Sequence, residues 1–157
     1  VSLCGDVEIV VIDKTTQILS KSPLAVRCNK YVAESISGSY QEFFGYNVDD
    51  KTQLSESFKN FIADCKKIYA VNGKCVIDIL GSASTVPTKT HKTNLILAQK
   101  RADKAKRKIQ RALKKVNIDT TKIEITVESK VQGPAYSEDA RNRKKYGAFQ
   151  YVSVSVN

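Results

Sequence analysis

Residues 94–116 carry an apolar stripe built mostly of alanine: Ala98, Ala102, Ala105, Ile109, Ala112 and Val116, in steps of three and four. That spacing is helical and puts all six on one face. Side chains this small let the helix lie close to a sheet. The remaining surface is basic, with Lys100, Arg101, Lys104, Lys106, Arg107, Lys108, Arg111, Lys114 and Lys115 against the single acid Asp103.

The chain upstream supplies the partners such a helix needs. A β-branched run at 7–12 reads as a strand, 13–22 as polar turn, and 24–28 as a second short strand. Two strands alone are marginally stable, so residues 1–35 are expected to be a β segment and linker from a neighbouring domain. The aromatics Tyr40, Phe43, Phe44 and Tyr46 mark a third strand. Asp50 with Gln53 resembles a capping box. A helix to about residue 70 follows, with Leu54, Phe58, Phe61, Ile62, Cys65, Ile68 and Tyr69 on its buried face, stopped at Asn72-Gly73. Residues 75–80 form a strand that ends in the small residues Gly81, Ser82, Ala83 and Ser84. Beyond the basic helix come a strand at 122–127, a turn at Gln132-Gly133-Pro134 and a polar segment at 137–146. The closing strand alternates Gln150, Val152, Val154 and Val156 against Phe149, Tyr151, Ser153 and Ser155. From residue 36 to 157 the order is β-α-β-α-β-β, an α+β fold with helices on one face of a mixed sheet.

The net charge of +10 points to an acidic counterpart: nucleic acid, anionic headgroups or an acidic polymer. The four cysteines lack the C-x-x-C spacing of zinc or redox sites, and His91 is the only histidine, so neither a metal site nor a cofactor is expected. No apolar run approaches the ~20 residues of a membrane span. The start at Val1 suggests an excised or processed chain. No Gly-rich phosphate loop, paired-carboxylate motif or serine with a recognisable base is present, so the chain reads as a binding module, not an enzyme. The basic helix offers a phosphate-binding stripe, yet no aromatics interleave with its charges, which makes nucleic acid the less favoured partner.

The strand ending Gly81-Ser82-Ala83-Ser84, followed by Asn94-x-x-Leu97-Ala98-x-x-Arg101-Ala102, resembles the OmpA-like C-terminal domain family. That family's strand ends Gly-x-Thr-Asp and its helix opens Asn-x-x-Leu-Ser-x-x-Arg-Ala. The segment from Asp139 to Lys144 is similar to the basic element before its last strand. The resemblance covers residues 36–157. It implies non-covalent binding of the peptidoglycan stem peptide in the periplasm, anchoring an outer-membrane or periplasmic assembly to the cell wall. In the family an aspartate takes the ammonium of a diaminopimelate residue and the arginine takes its carboxylate. Arg101 and Asn94 match in type and spacing, and the ligand site implied is Arg101, Asn94, Ser84, Ala83, Ser82 and Leu97.

Ser84 stands where the family has aspartate, and no Asp or Glu lies between Asp78 and Asp103. A serine hydroxyl supplies no countercharge, so Glu138 or Asp139 is the candidate to reach in. Arg101→Ala is expected to abolish binding without unfolding the domain, since alanine suits a helix. The alternatives are a protein-interaction module on the same fold with a degenerate site, and a nucleic-acid binder using helix 100–115. A periplasmic location would allow the bridges Cys65–Cys75 and Cys4–Cys28; buried thiols are the other reading.

Overall fold

The computed structural model describes residues 7–12, 18–24, 36–51, 54–138 and 143–157, with 7–12, 18–24 and 143 as backbone alone. The chain divides into two units, Val1–Glu34 and Ser35–Asn157. In the first, β1 (Val7–Ile12) pairs antiparallel with β2 (Ile18–Leu24), with an irregularity between Val11 and Ile12. The second strand thus occupies part of the stretch expected to be turn. Pro23 faces Glu8 in a sheet of two strands, where every strand is an edge and a missing N–H is tolerated.

The second unit is a four-stranded mixed sheet with its two long helices packed into one core, the α+β order read from the sequence. Its elements are β3 (Gly38–Phe43), α1 (Glu56–Asn72), β4 (Cys75–Ser84), α2 (Asn94–Lys115), β5 (Ile123–Gln132), the short α3 (Arg143–Gly147) and β6 (Tyr151–Val156). Strand order is β3-β6-β4-β5: β4 and β5 run parallel, and β6 is antiparallel to both β3 and β4. Placing the last strand in the middle brings Gln150, the residue just before its start, beside the end of β4. The residues just before α2 and just after β3 reach the same end of the sheet.

One core joins Ile77 and Ile79 of β4, Val152, Val154 and Val156 of β6, Phe58, Phe61 and Ile68 of α1, and Ala102, Ala105, Ile109 and Leu113 of α2. Burying each large apolar side chain is worth about 1.5–3 kcal/mol. Tyr40 stands edge-on to Phe58 at 5.4 Å between ring centroids. The stripe of α2 is wider than the alanine pattern showed: Leu97, Arg101 and Leu113 are buried with it. Leu54, expected on the buried face, precedes α1 and is exposed.

Helix starts also differ from the sequence reading. Ser55 caps α1 by accepting from the Phe58 N–H, so the helix opens later than the Asp50/Gln53 pattern placed it; Gln53 lies outside the described residues. Gly73 ends α1 in the left-handed region at φ 67°, as expected. Strands β4 and β5 continue through Ser84 and Gln132, because Gly81–Ser84 pair in register with Ser129–Gln132. Among the described residues no helix is long and apolar enough to cross a membrane.

Cys65 on α1 and Cys75 on β4 are free thiols buried in this core; Cys4 and Cys28 lie outside the described residues. Burial, with Cys75 and Asp64 nearby, pushes the Cys65 thiol up to about 12, and burial raises Cys75 as well. The thiolate is the reactive form. In a Cys4→Ser/Cys28→Ser protein, neither remaining thiol should react with an aromatic disulfide reagent at pH 8 until denaturant is added. Rapid labelling of the folded protein would contradict the core described.

Candidate functional site

Arg101 sits one helical turn past Leu97 on the buried side of α2, and its side chain is 0% exposed. Its Nε donates to the Val48 carbonyl at 2.9 Å and one terminal nitrogen to the Gly45 carbonyl at 3.3 Å. The other terminal nitrogen donates to the Ser82 carbonyl at 2.7 Å and to Gln150 Oε1 at 2.6 Å. The guanidinium also lies 4.9 Å from the centre of the Phe44 ring, a cation–π distance. Four of its five N–H groups are therefore engaged inside the protein. None of its partners is a carboxylate. Burial pulls its pKa down to about 10, with the negative charge of Asp49 acting the other way, so it remains a cation at neutral pH.

Gln150 is the centre of this network. Its Oε1 accepts from Arg101, and its Nε2 donates to Ser84 Oγ at 2.6 Å. Ser84 Oγ also accepts from the Val86 N–H at 3.4 Å. Ser82 Oγ donates to the Phe149 carbonyl at 2.7 Å. Both serines are fully buried. Arg101, Ser84 and Ser82 thus converge, as the sequence grouped them, but beneath a surface and not upon it. Ala83 and Leu97 pack with Ala98 in a separate buried cluster and expose nothing to a ligand. Thr93, not Asn94, caps α2 by accepting from the Ile96 N–H; Asn94 is the first helical residue, and its Oδ1 is buried without a partner.

Above the network lies a cavity of about 570 Å³, lined by Phe44, Gly45, Tyr46, Val86, Lys89, Tyr136, Ser137, Glu138, Tyr146, Gly147 and Gln150. Its walls come from three connections that are tied together. Asn47, in the left-handed region at φ 57°, accepts from Thr88 Oγ1 at 2.7 Å and from the Lys89 N–H at 3.2 Å. Tyr46 OH donates to the Pro87 carbonyl, and Thr85 Oγ1 to the Pro134 carbonyl, both at 2.5 Å. Tyr146 OH accepts from the Ser137 N–H and donates to the Ala135 carbonyl. Asp49 binds Lys104 at 2.9 Å and lies 3.4 Å from His91. Although burial opposes it, the hydrogen bond and charge of Lys104, helped by His91, hold the Asp49 carboxyl below the usual range.

Sequence reasoning missed Gln150 and the aromatic walls. One signal was available: Gln150 is the only polar member of the otherwise apolar row Gln150, Val152, Val154, Val156. The aromatics gave none, since their positions are far apart in sequence and meet only through the strand order. Glu138 lines the cavity; Asp139 and the 139–142 part of the basic element lie outside the described residues.

The outer face of α2 carries Lys100, Arg107, Arg111 and Lys114, all exposed and, among the described residues, in no ion pair. Their spacing of seven, four and three keeps them on one line about 21 Å long. Lys104 and Lys108 are not part of it: they pair with Asp49, Asp50 and Glu42.

These features define an α+β module with a cavity at one end of its mixed sheet, over a buried cation. No family model matches the sequence, and neither does any curated protein. Solved structures similar to the chain include the OmpA-like domain of FopA1 from Francisella tularensis, at 18% identity and TM-score 0.43, covering 76% of this chain and 71% of that one. The peptidoglycan-associated lipoprotein from Burkholderia pseudomallei is similar at 17% identity and TM-score 0.46, over 74% of this chain and 89% of that one. A MotB-like protein from Desulfovibrio vulgaris gives 13% identity and TM-score 0.47, over 76% and 72%.

Proposed function

We propose that this domain binds the stem peptide of peptidoglycan non-covalently, with diaminopimelate as the recognised residue, and tethers an outer-membrane or periplasmic assembly to the cell wall. The observation that carries this reading is the buried Arg101 cation, without a carboxylate partner among the described residues, beneath an aromatic-walled cavity. A buried charge favours an opposite charge brought close to it where water is scarce. That cation raises the positive potential felt by a ligand carboxylate in the cavity above it. The resemblance of 94–102 to the OmpA-like helix motif supports the same ligand class.

The exposed stripe on α2 supports a supplementary role, general attraction to a carboxylate-bearing polymer. It also favours one competing reading, a nucleic-acid surface. The test is sedimentation with purified sacculi, together with calorimetric titration of a diaminopimelate muropeptide. A variant with Lys100, Arg107, Arg111 and Lys114 all changed to Glu should titrate the muropeptide as wild type does. Should wild type bind RNA or DNA with a steep salt dependence that this variant loses, while neither binds muropeptide, the nucleic-acid reading replaces the one proposed.

A further inference from the structure

The geometry points to Lys89 and Glu138 as the pair that recognises a zwitterionic ligand, with Arg101 acting behind them as a positioning residue. This rests on the stem-peptide reading above and names the residues that would make its specificity. Among the described residues they are the only two charged ones lining the cavity, one of each sign, and they come from different connections. Both are exposed, and among the described residues neither forms an ion pair. Other nearby acids are committed: Asp49 to Lys104 and His91, Glu42 to Lys108. Ser84 is buried with its hydroxyl bonded to Gln150 and the Val86 N–H, so it presents nothing to an ammonium. Glu138 therefore meets the ligand's ammonium, and Lys89 its carboxylate. The loop of Lys89 is pinned through its own N–H to Asn47, which holds the backbone of Lys89 at the rim of the cavity while its flexible stem is free to reach the ligand. Arg101 reaches the ligand only through Gln150, whose amide it orients so that the NH₂ side faces Ser84.

The test uses three ligands: a diaminopimelate muropeptide, the same muropeptide acetylated on the side-chain amine of diaminopimelate, and intact sacculi. Glu138→Gln should lose tenfold or more in affinity for the free-amine muropeptide. For the acetylated one it should bind no worse than wild type, because the charge it recognises is gone. Lys89→Gln should weaken both muropeptides alike. Circular dichroism of these exposed-site variants should match wild type. If both variants bind the free-amine muropeptide as wild type does, while wild type sediments with sacculi, this inference falls and the stem-peptide reading stands. If wild type binds neither sacculi nor muropeptide, the reading falls and the inference with it.

Discussion

Replacing Arg101 with alanine is expected to destabilise the second unit by about 2–4 kcal/mol, besides weakening any ligand. The buried Ser82 carbonyl and Gln150 amide oxygen, and the part-buried carbonyls of Gly45 and Val48, lose their donor together. Each buried polar group left unsatisfied costs about 1–3 kcal/mol. Part of the sum is offset, because the mutation also removes a cation that was buried without a carboxylate. The remainder is a large share of a typical domain stability of about 5–15 kcal/mol. Arg101→Lys should recover less than half of the loss. An ammonium is a compact point charge and cannot span Val48 and Gly45 on one side and Ser82 and Gln150 on the other. Equilibrium unfolding in urea measures both variants, and a midpoint equal to wild type for Arg101→Ala would mean the network holds nothing together.

That expectation reverses the one drawn from sequence, where alanine in a helix looked harmless. The helix itself was legible because its apolar period repeats over about five turns. What the pattern could not give was the orientation of Arg101. Arginine in a basic helix reads as one more surface cation, and its burial is set by the turn after β3 folding over it, which no local spacing encodes. The motif grouping Arg101 with Ser82 and Ser84 was legible, since strand end and helix start are close in the chain. The hub that joins them was not, because Gln150 arrives from 49 residues away through the central position of β6. Ser84 illustrates the same limit. The sequence placed it at the ligand site, but the hydroxyl faces Gln150 inside the protein, so replacing it by aspartate would bury a new charge rather than offer one to a ligand. Strand ends were misjudged where small residues looked like loop. Ser82, Ala83 and Ser84 are strand because β5 pairs with them, a non-local cause.

The alanine stripe makes a further strong demand, on Gly81. A methyl group added there would run into the Ala98 carbonyl oxygen and come within 2.9 Å of Ala102 Cβ. The obstacle is largely helix backbone, which cannot rotate away as a side chain would. Gly81→Ala is therefore expected to push α2 off β4 and cost on the order of 3 kcal/mol, the upper end for overpacking. Gly147→Ala is the matched control. Nothing lies within 4 Å of its added carbon, so its stability should stay within about 0.5 kcal/mol of wild type. Gly147 serves as a control for stability alone, since it lines the cavity, whereas Gly81→Ala acts on the site from beneath. Gly81 adjoins Ser82 and Ala102 adjoins Arg101, so moving the helix lengthens the 2.7 Å bond between Arg101 and the Ser82 carbonyl. Urea unfolding should accordingly show a lower midpoint for Gly81→Ala, and muropeptide titration at a temperature where it is still folded should show weaker binding. Unchanged stability in Gly81→Ala would mean that α2 rides higher over the sheet than described, and that the small residues at 98 and 102 are there for some reason other than close approach.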